Sequence, residues 1–189
     1  FCNAGFDLMG TPEAPFVSLT SYAGNLVINV TVMLLIVIGG IGFLTWDDIR
    51  TNRHHFRRYR MQSKVILVTT AILLLFPFLY FCFFEFTDQP VGERILGALF
   101  QTVTPRTAGF NTEDLTALTG AGQCVTILLM LTGGSPGSTA GGVKTTTVAV
   151  LFGNALAVFQ RKEDAHFFGR RIEKDVIKNA STILTMYLT

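Results

Sequence analysis

Charged residues are scarce in this chain and absent from long parts of it. They make up 15% of the 189 residues, whereas 49% are hydrophobic, and the mean hydropathy is +0.45. This balance excludes an ordinary soluble domain. Asp, Glu, Lys and Arg are missing altogether from residues 14–46, 65–84, 116–143 and 145–160. Because about 20 apolar residues cross a bilayer as a helix, these runs predict two full membrane spans and a third that is interrupted.

Cysteine and histidine are also rare, with three of each: Cys2, Cys82, Cys124, His54, His55 and His166. Their spacing fits neither a metal site nor a disulfide framework. No cluster of His, Cys or carboxylate side chains falls within the apolar runs. We therefore predict that the cysteines act as small apolar residues and that the histidines lie on exposed surface. We also predict that the chain is not an enzyme and carries no cofactor of its own.

The few charges are segregated by sign. Of the 15 Lys and Arg residues, six lie in residues 50–64 and six in residues 161–178. The other connections are mainly acidic, with Glu85, Asp88, Glu93, Glu113 and Asp114 against Arg94 and Arg106. By the positive-inside rule both basic segments face the cytoplasm of a multi-pass cell-membrane protein. The basic residues thus report orientation, and no nucleic-acid partner is expected.

One unusual segment occurs twice. Asn3-Ala4-Gly5-Phe6-Asp7 near the start returns as Thr107-Ala108-Gly109-Phe110-Asn111, about 100 residues later. An apolar stretch with a double glycine follows each copy, at Gly39-Gly40 and at Gly133-Gly134. Internal repetition in an apolar chain indicates repeated units around a shared path.

The second copy follows a helix that is too short to span a membrane. Residues 92–104 would cover only about 18–20 Å as a helix, and Pro105 blocks its continuation. This order is typical of a re-entrant pore loop, in which backbone carbonyls replace the water around a potassium ion. The negative end of the short helix favours a cation. An extracellular turn is the alternative. The predicted filter residues are Asn3, Ala4, Gly5, Phe6, Thr107, Ala108, Gly109, Phe110 and Asn111.

The third apolar run cannot be one continuous helix. Residues 120–131 read as a helix, but the next segment holds five glycines, a proline and three hydroxyls in ten residues. Helix is predicted again over residues 143–159. The first copy has only Gly39, Gly40 and Gly42 at the matching place, so we expect a continuous helix over about residues 18–44 and a break in the second copy alone.

The glycine-rich break is predicted to be a gate loop. Its residues are Gly133, Gly134, Ser135, Pro136, Gly137, Ser138, Thr139, Ala140, Gly141, Gly142 and, just beyond, Lys144. A phosphate-binding loop is excluded because Val143 separates Gly142 from Lys144 and no strand precedes the glycines. Lys144 is either a functional cation at membrane depth or a side chain that reaches the cytoplasmic surface.

Three segments together, residues 3–7, 104–111 and 133–146, resemble the Trk/Ktr/HKT superfamily of potassium transporters. The resemblance is greatest to the bacterial Ktr/Trk membrane subunit. It implies an all-α transmembrane fold of repeated outer-helix, pore-loop and inner-helix units, with a broken inner helix as the intramembrane gate. Residues 1–62 would end the second of four repeats, residues 63–160 would form the third, and residues 161–189 would begin the fourth. A homodimer and a cytoplasmic ring of nucleotide-binding regulatory subunits are also implied.

The leading functional hypothesis is therefore potassium uptake through a filter of backbone carbonyls, with sodium as an open question for a coupling ion in symport. The alternative is a secondary carrier that binds its substrate at the broken helix. The two basic segments, with Phe167 and Phe168 as apolar anchors, are predicted to dock the regulatory ring. Anionic membrane lipid is the alternative partner for these cations.

Overall fold

Over the residues that the structure describes, the fold is a set of seven α-helices with one short hairpin. The computed structural model describes residues 2–7, 9–11, 17–162 and 164–189. Within those ranges the helices are α1 (Leu26–Ile41), α2 (Phe43–Asn52), α3 (Met61–Tyr80), α4 (Val91–Val103), α5 (Gly120–Leu131), α6 (Thr145–Phe159) and α7 (Lys174–Leu188). The two strands are β1 (His166–Phe167) and β2 (Arg170–Arg171).

The first apolar run is broken, contrary to expectation. α1 begins after Asn25, whose side chain accepts the N–H of Ile28 at 3.1 Å. It ends at Ile41, and α2 leaves Gly42 at an angle of 94° to α1. Gly42 has φ of +93°, a conformation that glycine permits and other residues resist. The predictions of a continuous helix over residues 18–44, and of a break in the second copy alone, were therefore wrong.

α3 is the longest helix and contains Pro77. It continues past the proline and widens into a π-helical turn, Phe81–Glu85, in which Phe81 is fully buried. Among the described residues, Met61–Glu85 is the one helix long and apolar enough to cross a membrane unaided. α1 and α2 meet the same criterion only as a bent pair, and α5 and α6 are shorter.

The second half of the chain follows the sequence expectations closely. α4 ends at Val103, directly before the Thr104-Pro105 pair. Thr104 keeps helical dihedrals, with φ of −63° and ψ of −37°, so the helix ends because Pro105 has no N–H to donate to the Gln101 carbonyl. α5 has the predicted bounds, and α6 begins two residues later than predicted. The residues between α5 and α6 are not helical, as the glycine content requires.

α4 lies at the centre of the packing. One buried cluster joins it to α1 through Met33, Ile36, Leu96 and Phe100. A second cluster joins its Ala98 to the π-helical turn and to α5. Because α4 is held on two sides, the position of the segment that follows its last residue is fixed as well.

The hairpin departs from the all-α prediction. β1 and β2 pair antiparallel through a tight turn in which Phe168 and Gly169 both have positive φ. The ring of Phe167 packs on Gly153, where an added Cβ would lie 2.4 Å from that ring. Phe167 is thus half-buried against α6, and its predicted role as an anchor for a partner stays a prediction.

A buried carboxylate joins α2 to α3. Asp48 accepts hydrogen bonds from the Ser63 hydroxyl at 2.6 Å and from the Arg60 N–H at 3.0 Å, and Arg60 Nε lies 3.7 Å from it. Arg60 precedes the first turn of α3, so Asp48 satisfies donors that a helix N-terminus leaves open. This contact joins the second turn of α2 to the start of α3.

Replacing Asp48 with Ala should therefore destabilise the folded protein. The Ser63 hydroxyl and the Arg60 N–H would lose their acceptor, at a cost of about 1–3 kcal/mol. The measurement is thermal unfolding of the detergent-purified protein. Asp47→Ala is the matched control, because the Asp47 side chain is exposed. Equal melting temperatures for the two variants would contradict the assignment.

Candidate functional site

The two repeated segments lie against each other, backbone to backbone. A Cβ added to Gly5 would lie 1.9 Å from the carbonyl oxygen of Ala108, and one added to Gly109 would lie 3.3 Å from the carbonyl oxygen of Gly5. Even alanine at position 5 would collide with the other copy. The structure thus brings together residues that are about 100 positions apart in sequence.

The backbone conformations of the two copies match in part. Asn3 and Thr107, the first residues of the copies, have φ of 50° and 66°. Gly109 also has positive φ, at 86°, whereas Gly5 does not. Glycine is therefore required at position 109 for its conformation and at position 5 for the space that a side chain would fill.

The turn after α4 is closed by its own backbone. The Thr107 N–H donates to the Pro105 carbonyl at 2.7 Å, and the Ala108 N–H donates to the Thr104 carbonyl at 3.1 Å. The Thr104 hydroxyl donates to the carbonyl of Phe110. These bonds hold the second copy as a compact turn directly below the last turn of α4.

The segment before α1 ties the two copies together. The Ser18 N–H donates to the Asp7 carboxylate at 3.0 Å, and the Ser18 hydroxyl accepts the Asn111 N–H at 3.0 Å. The Leu19 N–H donates to the Asn111 carbonyl at 2.9 Å. Asp7 and Asn111 thus occupy matching places in the two copies and share Ser18 as a partner.

Eight of the nine predicted filter residues line one pocket of about 430 Å³. The exception is Phe110, which packs against the cluster between α1 and α4. Gln101, Thr104, Thr126 and Met130 also line the pocket and were not predicted. The Gln101 amide donates to the Thr126 hydroxyl at 3.3 Å. No sequence motif marks these residues. The one usable signal is Gln101, a polar residue one turn before Pro105 in an otherwise apolar part of the helix, which could have indicated that the pocket extends to this position.

Several polar groups beside the pocket have no partner among the described residues. They are both amide atoms of Asn3, the hydroxyl of Thr107 and Nε of Arg106. The Arg106 side chain, only 6% exposed, lies in a small gap with Gly40 and Gly134. Since a buried polar group without a partner is costly, these groups need donors and acceptors that the described residues do not supply.

The predicted gate loop, residues 133–142, closes on itself at its base. The Gly133 N–H donates to the Val143 carbonyl at 3.0 Å, and the Val143 N–H donates to the Leu131 carbonyl at 3.2 Å. The Thr145 N–H donates to the Gly134 carbonyl at 3.1 Å. The chain therefore leaves α5 and enters α6 at almost the same point, with the loop projecting between them.

Side chains complete the internal bonding of the gate loop. The hydroxyls of Ser135 and Thr145 are fully buried and lie 3.1 Å apart. The Lys144 amine donates to the Ala140 carbonyl at 2.8 Å. Lys144 thus bonds to the loop itself. Its two predicted roles, as a functional cation or as a side chain at the cytoplasmic surface, did not include this contact.

The break in α1 provides acceptors for the gate loop. The last four carbonyls of a helix have no partner within it. In α1 three of them accept other donors: Gly40 from the Ser135 N–H at 2.9 Å, Gly39 from the Thr139 N–H at 3.2 Å, and Ile38 from the Trp46 indole at 3.0 Å. The double glycine of the first copy thus binds the loop of the second.

The contact also runs in the opposite direction. The N–H of Phe43, the first residue of α2, donates to the Gly137 carbonyl at 3.1 Å. A Cβ on Gly42 would lie 2.6 Å from the Pro136 carbonyl oxygen. We call residues 39–43 the elbow. It and the gate loop satisfy one another's open backbone groups.

The acidic residues in the connection between α4 and α5 are capped or partly buried. Burial raises the pKa of the Glu113 carboxyl, the Gln89 amide at 3.1 Å lowers it, and the charge of Glu93 raises it. Hydrogen bonds from Thr116 lower the pKa of Asp114. Glu113 and Asp114 lie in the connection between α4 and α5, outside the pocket between the two repeated segments.

No metal centre is formed by the residues that the structure describes. They contain no group of three or more His, Cys, Asp or Glu side chains that could hold a metal ion. His54, His55 and His166 are exposed, as predicted. All three cysteines are free, and Cys2 and Cys124 are exposed.

Comparison with known proteins gives a consistent result. The TrkH family, described as a cation transport protein, matches residues 1–189. The potassium/sodium uptake protein NtpJ of Enterococcus hirae is 38% identical over 194 residues, which cover 100% of this chain and 42% of that protein. The Ktr system potassium uptake protein B of Bacillus subtilis is 32% identical, over 97% of this chain and 41% of that protein.

Among solved structures, the potassium transporter TrkH from Vibrio parahaemolyticus matches with a TM-score of 0.72 at 19% identity. The match covers 95% of this chain and 40% of that one. At this identity it supports the helical fold alone. The chain spans about two fifths of the length of these relatives.

The helical fold and the sequence relationships define the class: a transport protein of membranes and not an enzyme, as predicted. The chain belongs to the TrkH family of cation transport proteins. The resemblance recognised in its three motifs is confirmed.

Proposed function

We propose that the chain is the part of a potassium uptake protein that carries two of its filter segments and its gate. The observation that carries this proposal is the backbone contact of Gly5 with Ala108 and Gly109 beside a shared pocket. Backbone carbonyls at such a place can replace the water of a monovalent cation. The relatives named as potassium uptake and potassium/sodium uptake proteins agree with this cargo. If uptake is a symport, sodium is the coupling ion that we propose to test.

The proposal places the helices in the cell membrane. Support comes from the apolar side chains that remain exposed on the helices, which water would disfavour: Leu75, Phe76, Ile127, Leu128, Phe152 and others. α3 is then the outer helix, α4 the pore helix, and α5 with α6 the broken inner helix of a third repeat over residues 63–160. Residues 1–62 end the second repeat and residues 161–189 begin the fourth. The unpaired Asn3, Arg106 and Thr107 groups would meet the remaining repeats.

The gate loop is proposed to obstruct the path below the filter. The alternative, a carrier that binds substrate at this loop, has less support. The carbonyls of Ala140, Gly137 and Gly141 already accept hydrogen bonds, as do those of Gly39 and Gly40 in the elbow. A loop whose backbone groups are paired in this way offers few of them to a substrate.

The proposed partners are a second copy of the subunit, membrane lipid and a cytoplasmic nucleotide-binding regulatory ring. The two basic segments meet through the rings of Phe56 and Phe168, whose centroids are 6.3 Å apart. The Lys64 amine lies 6.0 and 5.9 Å from these ring centroids. Phe168, 51% exposed, is the apolar anchor that remains available to a regulator.

Gly109→Ser tests the proposed filter. The serine would have to adopt positive φ, at a cost of about 1 kcal/mol or more, and would distort one of the filter segments. In the full-length transporter, reconstituted in liposomes, the preference for potassium over sodium should fall while the protein still inserts. Gly120→Ser is the control, because a Cβ at Gly120 meets nothing within 4 Å. Unchanged ion preference in Gly109→Ser would rule out the assignment.

Deleting residues 134–141 tests the gate. The deletion is geometrically mild, since a Cβ on Gly142 would lie 3.0 Å from the Cα of Gly133. If the loop obstructs the path, potassium flux should rise and become independent of the regulatory subunit. Collapse of transport in a correctly folded deletion variant would instead support the carrier.

The basic surface around Phe56 and Phe168 is tested by changing Arg57, Arg58 and Arg170 together to Gln. Co-purification of the regulatory subunit should weaken most at low salt, and the difference from the parent protein should shrink at high salt, because salt already screens exposed charges there. Lys162, Lys174 and Lys178, changed together to Gln, remove as many charges elsewhere and form the control. Equal retention of the regulator by both triple variants would leave the cations as orientation signals.

A further inference from the structure

The gate loop is held by a different helix from the two that it connects. Its base is closed between α5 and α6, but its far side is bonded to the elbow. There the N–H groups of Ser135 and Thr139 meet the end of α1, and the Gly137 carbonyl meets the start of α2. The Thr139 hydroxyl adds a second bond to the Gly39 carbonyl at 3.1 Å. The elbow therefore fixes where the loop lies.

These bonds depend on the bend between α1 and α2. A straight helix would use the Gly39 and Gly40 carbonyls and the Phe43 N–H within itself, and none would be free for the loop. The bend is held by Gly42 at φ of +93° and by the Trp46 indole on the Ile38 carbonyl. A change in the direction of α2 therefore alters the Phe43–Gly137 bond, and a straightened helix would also take up the Gly39 and Gly40 carbonyls.

α2 connects the elbow to the basic surface. Its second turn carries Asp48, which is bonded to the start of α3, and its end leads to the segment that holds Phe56. Phe56 contacts Phe168 of the hairpin. A displacement of this surface would therefore be transmitted to Phe43 by α2 alone.

We propose that the elbow is a latch that keeps the gate loop in its obstructing position, and that α2 is the lever that releases it. This inference rests on the proposed potassium uptake function. In the latched state the loop N–H groups cap α1 and the Phe43 N–H holds Gly137. When α2 turns, these bonds break together and the loop is free to move aside while its base stays closed.

Phe43 allows the latch to be tested with little damage to the fold. It is the first residue of α2, a position where proline is favoured because its N–H has no acceptor within the helix. Gly42 has ψ of 142°, within the range that a residue before proline adopts. Phe43→Pro removes the N–H that binds Gly137 and puts a ring carbon in its place. Phe43→Ala removes the same side chain but keeps the N–H.

The measurement is rubidium uptake by the full-length transporter in proteoliposomes, without its regulatory subunit. We expect about five-fold higher uptake for Phe43→Pro than for Phe43→Ala, which corresponds to about 1 kcal/mol for one hydrogen bond. The preference for potassium over sodium should be the same in both, since the filter is untouched. Equal uptake in the two variants, or lower uptake in folded Phe43→Pro, would overturn the latch.

A second pair of variants covers the case in which Phe43→Pro does not fold. Gly42→Ala puts a Cβ 2.6 Å from the Pro136 carbonyl oxygen, whereas Gly120→Ala, at the start of α5 and outside the gate loop, meets nothing within 4 Å. Uptake should rise for Gly42→Ala alone, and equal uptake again contradicts the latch. Failure of the proposed potassium uptake can be told apart from failure of the latch, because in the first case the parent protein itself would take up no rubidium.

Discussion

The elbow and the gate loop depend on each other for hydrogen bonds. A helix that stops at Ile41 leaves carbonyls open, and a glycine-rich loop leaves N–H groups open; each would be costly to bury alone. In this chain the Ser135 and Thr139 N–H groups meet the Gly40 and Gly39 carbonyls. The remaining features follow from this exchange. The bend of α1 into α2 and the position of the loop both depend on it.

Close backbone contact is the second constraint, and it explains the placement of particular glycines. Gly5 lies on Ala108, and Gly42 lies on Pro136, with no space for a Cβ at either contact. Carbonyls that meet this closely can act on a cation only if no side chain separates them. The same absence of side chains that makes these segments fit together makes them suitable as ligands for a dehydrated monovalent ion.

Much of this arrangement could be predicted from the sequence, because local rules decide it. Pro105 ends α4, and the glycines after Leu131 end α5, where prediction and structure agree. The break at Gly42 could not be predicted in the same way. Residues 39–42 are tolerable in a helix, and the bend becomes favourable only when a loop about 100 residues later supplies the missing donors. The inward packing of Phe167 on Gly153 is likewise a long-range contact without a local signal.

The central claim is that backbone carbonyls of the two repeated segments hold the transported cation above the gate loop. The most direct test is the structure of the full-length transporter in thallium, whose anomalous scattering locates a potassium-like ion. The account predicts a thallium peak coordinated by carbonyl oxygens of residues 3–5 and 107–109. A peak held by the gate loop between α5 and α6, with none at the two glycine segments, would contradict it.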